Sequence, residues 1–216
     1  MSRHQRNREA TFKSIVVAAE TLMRERGVEA ITIQDITEKA DVGHGSFYVH
    51  FDSKNDVLVP IARRHASELN ERITLLTQNI PDPAQAFAVS VRHMMRAIAN
   101  DPLWSFFIFR SGLPNEKLRE GVAEGGREDL VRGINSGAFL IKDLDTVMSF
   151  LLGALAGVLD DVHQGILGEE AFDAAAELTL RVVGIAPDTA AKLSRMPLPA
   201  LPKAKRRPAA SESTPT

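Results

Sequence analysis

Apolar residues recur at spacings of three and four along most of the chain, and Gly, Pro and capping residues divide these runs into helices. From residue 9 to 26, Phe12, Ile15, Val16, Ala19, Leu22 and Met23 share one side while Lys13, Glu20, Arg24 and Glu25 take the other, and Gly27 ends the pattern. Thr32 and Asp35 form a capping-box-like start for a short helix over about 33–40, broken at Asp41-Val42-Gly43. A third helix, from about His44 to His50, carries Phe47 and Phe51 on one face and His44 and Tyr48 on a neighbouring one. Ser53-Lys54-Asn55-Asp56 repeats the cap and opens a longer helix to about Gln78, striped by Leu58, Ile61, Leu69 and Ile73. Pro60 falls inside it, where a lost backbone hydrogen bond predicts a bend costing about 3 kcal/mol.

Asp82-Pro83 and Asp101-Pro102 each place a capping acid before a proline at the first helical position, so two more helices begin there. The first carries Phe87, Val91, Met94 and Ile98 on one face. The second, 103–109, is apolar nearly all round and should be enclosed by other helices. A looser helix over about 115–136 is weakened by Gly121, Gly125, Gly126 and Gly133 and is expected to be broken or mobile. Residues 145–167 and 170–183 form the last two substantial helices; Gly153, Ala154, Ala156 and Gly157 in the former allow close approach of another backbone. From Pro197 on, the composition of Pro, Ala, Ser and Lys/Arg predicts disorder. The fold class is all-α.

With 216 residues, 44% hydrophobic and 25% charged, the chain can bury a sizeable core in one compact unit or two small ones. The absence of cysteine excludes disulfides, thiol catalysis and Cys-ligated zinc. No apolar stretch follows the basic start, so no signal peptide is expected and a cytoplasmic location is. The longest apolar run, 147–159, is too short to span a bilayer and ends in Asp160-Asp161; it reads as a buried helix, with no membrane as partner. The net charge of −2, with eight Lys/Arg against nine Asp/Glu in residues 1–56, argues mildly against nucleic acid. Placement argues the other way: Arg3, Arg6, Arg8 and Lys13 cluster with Glu9 alone opposing them, on an arm or first helical turn able to follow a phosphate backbone or enter a minor groove.

The window from Thr32 to Leu58 resembles the TetR family of bacterial transcriptional regulators. Tyr48-Val49-His50-Phe51 and Ser53-Lys54, preceded by Gly45-Ser46-Phe47, stand where that family has a helix-turn-helix ending in Tyr-x-x-Phe and then a Ser-Lys-acid helix start. Asp41 stands where the family often has Gly, Gly43 where Ser usually caps the recognition helix, and His44 where Lys is frequent. The resemblance implies an N-terminal three-helix DNA-binding domain over 1–56 and a C-terminal helical ligand-binding and dimerisation domain over 57–196, followed by a disordered tail, 197–216. It further implies a homodimer paired through the last two long helices, a palindromic double-stranded DNA operator, and release by a small-molecule effector. The helix holding Pro60 would join the two domains.

On the DNA side the candidate residues are Thr32, Gly43, His44, Gly45, Ser46, Tyr48, His50 and Lys54. The resemblance makes Tyr48, His50 and Lys54 phosphate-side contacts and His44 to Ser46 the base-reading end, where a histidine can donate to guanine acceptors. Phe47 and Phe51 read as core. In the second domain Met94, Trp104, Phe107 and Met148 are candidates for an apolar effector cavity, though such a set is also what a plain core supplies, and Arg110 is a cation able to meet an acidic effector. Asp160 and His163 share a face with no third ligand beside them, so no metal is expected, and no cofactor either. His65 and His93 read as packed or surface histidines. The rival functions are a C-terminal domain that binds a protein partner, and a helical enzyme or carrier; no Ser-His-acid arrangement or glycine-rich phosphate loop supports an enzyme. The basic run Lys203, Lys205, Arg206 and Arg207 reads as a solvated tail able to add non-specific attraction to DNA.

Overall fold

The computed structural model describes residues 2–110 and 115–202, and within them the side chains of all but 109–123. Helix α1 (Arg3–Arg26) begins earlier than its apolar stripe because Ser2 and Gln5 close a capping box, with Ser2 N donating to Gln5 Oε1 at 2.8 Å. Arg3, Arg6 and Arg8 are therefore held in helical register. Gly27, at φ 85°, ends α1 in a backbone conformation that L side chains rarely adopt.

Helix α2 (Ile33–Lys39) starts at a complete Thr32–Asp35 capping box, and α3 (His44–Tyr48) follows the turn at Asp41. Asp41 is in the left-handed region at φ 53°, the one non-glycine residue with positive φ among those described. Phe47 is completely buried, Phe51 nearly so, and Phe12 of α1 stacks on Phe51 at 5.3 Å. With Ile15, Leu22, Ile36 and Leu58 they belong to the continuous apolar core, to which α3 is anchored through Phe47. Each such side chain contributes about 1.5–3 kcal/mol through burial.

Ser53 caps a single 3-10 turn, Lys54–Val57, which passes into α4 (Leu58–Thr77). Pro60 thus lies in the first turn of α4, not in a helix interior. The 3-10 turn runs straight into α4, with Leu58 N–H donating to Asn55 O, so Pro60 falls where the helical run changes from 3-10 to α.

Helix α5 (Pro83–Ala99), capped by Asp82, runs through the middle of the second domain with eleven of its residues buried. Helix α6 (Pro102–Ser105), capped by Asp101, is one turn long and widens into a π-helical turn over Phe106–Arg110 instead of continuing as a regular helix. Leu103, Trp104 and Phe107 are buried, as their apolar surroundings in sequence required. Helix α7 (Asn115–Asn135) is unbroken despite its glycines. Two of these are packing contacts: a Cβ at Gly125 would overlap the Asn70 amide of α4, and one at Gly133 would overlap the Phe139 ring.

Helices α8 (Leu144–His163) and α9 (Ala171–Val182) follow, and then α10 (Pro187–Arg195), which the apolar periodicity did not disclose. It is short, and it buries Ala190, Leu193 and Ser194. Beyond it the chain is placed as far as residue 202. Arg92 Nη1 donates to Met196 O at 2.7 Å, His93 Nε2 lies 2.9 Å from Pro199 O, and Arg72 Nε donates to Pro202 O at 2.7 Å. The first six residues of the expected disordered tail are thus laid across α5 and α4, because two arginines and a histidine there meet backbone carbonyls that composition does not reveal. Residues 203–216, with their basic run, lie outside the described residues.

Candidate nucleic-acid interface and interior cavity

The burial of Phe47 turns the opposite side of α3 outward. Tyr48 and Val49 are 53% and 58% exposed, and His44 and Gly45 are exposed beside them. The His44 and Tyr48 rings meet edge to face at 5.5 Å, giving the helix a polar and aromatic rim. No neighbour lies within 4 Å of the space a Cβ would take at Gly45, and Gly43 supplies no side-chain cap. Ser46 is half-buried. A surface of this kind, one turn wide and supported by an aromatic core, has the shape to enter a major groove and the donors to address phosphates and base edges.

His50 is half-buried with its ring edge on Phe12 at 5.7 Å. Loss of solvent, and secondly the charge of Arg8, lower its pKa. Gln5, Arg8 and Glu9 of α1 border the same recess as His50 and Phe12. Gln5 was not among the sequence candidates; its four-residue offset from Glu9 and three-residue offset from Arg8 on one helix was the available signal.

Thr32 is exposed, but its hydroxyl is committed to the cap, donating to Asp35 Oδ2 at 2.6 Å. Lys54 is still more committed. Its ammonium donates to Val28 O at 2.7 Å, Ile31 O at 2.8 Å and Glu29 O at 3.4 Å, which ties the α1–α2 loop to the 3-10 turn and occupies all three donors. Three carbonyls more than twenty residues away in sequence left no pattern from which this tie could be read.

At the junction of the two domains, Glu20 of α1 accepts from Arg24 at 3.2 Å and from Arg64 of α4, and lies 2.6 Å from His65 Nε2. Arg24 in turn reaches Asp101, the cap of α6, at 3.1 Å.

Between α4, α5, α6 and α7 lies a cavity of about 220 Å³. Of the five effector candidates, Met94 and Trp104 line it. Phe107 stands behind Trp104, 6.1 Å from it, on a much smaller recess of about 10 Å³. Met148 is buried on α8 and does not border the cavity, and the Arg110 side chain lies outside the described residues. The polar lining was missed: Arg63, Ser67 and Asn70 from α4, Ser90 from α5, and Glu124 and Asp129 from α7. The spacing of the first three, four and then three residues, is a helical stripe in its own right. Burial raises the pKa of the Asp129 carboxyl, against the opposing influence of Ser90 and Arg132.

A model of bacterial regulatory proteins of the tetR family matches residues 15–60, and one of the tetracyclin repressor-like C-terminal domain matches residues 82–195, more than half of the chain. The transcriptional repressor KstR2 of Rhodococcus jostii is 31% identical over 153 residues, 61% of this chain and 69% of its own length. The transcriptional regulator YwcC of Bacillus subtilis is 27% identical over 123 residues, 54% of this chain; the match spans about half the length of that relative, at 55%. Among solved structures, RolR in complex with resorcinol superposes with a TM-score of 0.81 at 29% identity, covering 92% of this chain and 100% of RolR. The Thermus thermophilus FadR in complex with lauroyl-CoA shares the fold at a TM-score of 0.70 and 18% identity, over 81% of this chain and 96% of that one. The chain belongs to the TetR family of transcriptional regulators.

Proposed function

We propose that the protein is a ligand-responsive repressor that binds a palindromic operator as a homodimer and is released by a small molecule in the cavity between α4 and α7. The observation that carries this reading is the double role of α4. Leu58 and Ile61 at its start are buried in the same continuous core as Phe47 of α3, and residues from Arg63 to Ile73 form one wall of the cavity. A ligand that favours one placement of α4 therefore favours one placement of α3, to the extent of its differential affinity for the two states.

Within each protomer the groove-facing residues of this reading are Gly43, His44, Gly45, Ser46 and Tyr48, with Thr32, His50 and Lys54 at the phosphate side, where Lys54 acts mainly by fixing the loop it ties. The homodimer surface is the outward face of α8 and α9. There Phe150 and Leu178 are 60% and 56% exposed, beside the small residues Gly153, Ala154 and Gly157. An apolar face of this sort on a helix otherwise packed against the core fits isologous pairing, which sets two α3 helices about 34–36 Å apart on DNA. The likeness to RolR, a structure with resorcinol, supports a small aromatic effector over a long-chain one. The protein is a binding protein, not a catalyst, and works in the cytoplasm beside its DNA.

Fluorescence anisotropy with labelled DNA flanking its own gene tests the reading. Sequence-selective binding by a dimer is expected; equal, salt-labile affinity for every duplex would overturn it.

A further inference from the structure

The wall of the cavity holds a buried hydroxyl beside a largely buried carboxylate. Ser90, 6% exposed, has a buried Oγ with no hydrogen-bond partner. It lies beside the Asp129 carboxyl, whose pKa it lowers against the larger opposing effect of burial. Arg132 holds Asp129 Oδ1, and the carboxyl side chain is only 11% exposed. Leaving a buried hydroxyl unpaired is unfavourable, and such a group in a cavity marks where a ligand atom restores the bond. Phe87, Val91 and Trp104 supply apolar and aromatic wall to the same space. At about 220 Å³ the cavity admits a single ring, since about 150 Å³ is enough for benzene, whereas drug-sized ligands take roughly 300–1,000 Å³.

We propose that Asp129 and Ser90 are the specificity point of this cavity and select a single-ring hydroxyarene, whose hydroxyl donates to the Asp129 carboxylate and accepts from the Ser90 hydroxyl. This rests on the effector reading of the cavity. One hydroxyl supplies one donor and one acceptor, the complement of a carboxylate beside a hydroxyl. A benzoate would set a second anion against Asp129 and Glu124, both at the cavity wall. An arylammonium would be stripped of water beside a carboxylate whose charge Arg132 already answers. An alkylbenzene would leave Ser90 unpaired.

The test is calorimetric titration of the full chain with phenol, the three dihydroxybenzenes, toluene, benzoate and benzylammonium. At least one hydroxyarene is expected to bind ten times more tightly than toluene, benzoate or benzylammonium. Asp129→Asn should cost that ligand at least tenfold while leaving toluene unchanged. Ser90→Ala should cost it several-fold without lowering the melting temperature of the free protein, which keeps the test decisive if the Asp129 variant folds poorly. Benzoate or benzylammonium binding as tightly as any hydroxyarene, no hydroxyarene binding at all, or substitutions that shift every probe alike would each overturn the proposal. Selective DNA binding without hydroxyarene binding sinks this inference alone. Hydroxyarene binding without selective DNA binding sinks the repressor reading alone.

Discussion

Arg24 on α1 and Asp101 at the cap of α6 are joined by an ion pair of 3.1 Å, a direct link from the DNA-reading unit to the turn that carries Trp104 into the cavity wall. It runs alongside α4 and makes α6 a second element shared by both ends of the molecule. Asp101→Asn keeps a residue able to cap α6 but removes the charge. Urea unfolding should show a loss of less than about 1 kcal/mol, as for other part-exposed pairs, while Asp101→Ala should lose about 1 kcal/mol more through the cap. If the two variants unfold alike, the cap at Leu103 N is not what Asp101 contributes.

Lys54 separates two roles cleanly. Lys54→Met breaks three charge-assisted bonds to the α1–α2 loop and should destabilise the protein by about 1.5–3 kcal/mol. A residue whose work was confined to phosphate would instead leave the unfolding midpoint in place and lower only the salt dependence of DNA affinity.

Tyr48 is the converse case. Half of its surface is open and its neighbours are the His44 and Phe47 rings. Tyr48→Ala is expected to weaken operator binding at least tenfold in anisotropy titrations, with the dimer mass by light scattering and the melting temperature both preserved. Unchanged DNA affinity would remove α3 from the interface.

Asp41 holds a left-handed conformation at the turn before α3. Glycine takes that conformation without a Cβ penalty, so Asp41→Gly should raise stability by about 0.5–1 kcal/mol despite its freer unfolded chain. A fall in the urea midpoint would mean that the aspartate side chain supports the turn in another way.

His93 gives the fold an acid-side weakness. Burial foremost, and then Arg96, Arg92 and Arg72, lower its pKa, although its bond to the Pro199 carbonyl pulls the other way. The unfolded chain therefore takes up the proton first, near the ordinary value of 6.5. Stability is intact above that value and is lost as pH falls from it toward the lower folded value. Melting temperatures should drop between pH 7.5 and 5.5, and the drop should be smaller in His93→Gln; His50, shifted in the same direction, keeps the slope from vanishing. A slope that the substitution does not change would place the titrating group elsewhere.

The helices with strong local grammar were legible in the sequence. Thr32 with Asp35, Asp82-Pro83, Asp101-Pro102 and the Phe47–Phe51 pair lay within four residues of their partners, and each defines an element or its anchor in the structure. What escaped was set by distant partners. Lys54 looked like a surface cation because its three carbonyls belong to another loop. Ser90 and Asp129 looked unremarkable because α5 and α7 bring them together across nearly forty residues. The 3-10 turn ahead of Pro60 also left no mark in the apolar pattern, which read one helix from Ser53 on. Helix α10 had too few apolar positions to announce itself.

The bonds from Arg92, His93 and Arg72 to the carbonyls of residues 196, 199 and 202 bear on where this protein can be cut. A chain shortened after Arg195 would keep the ten described α-helices and yet leave the buried guanidinium of Arg92 with Asp173 but without its carbonyl acceptor, and take the carbonyl partners from the His93 imidazole and the Nε of Arg72. The smallest autonomous fragment accordingly extends through Pro202, and an affinity handle belongs beyond it.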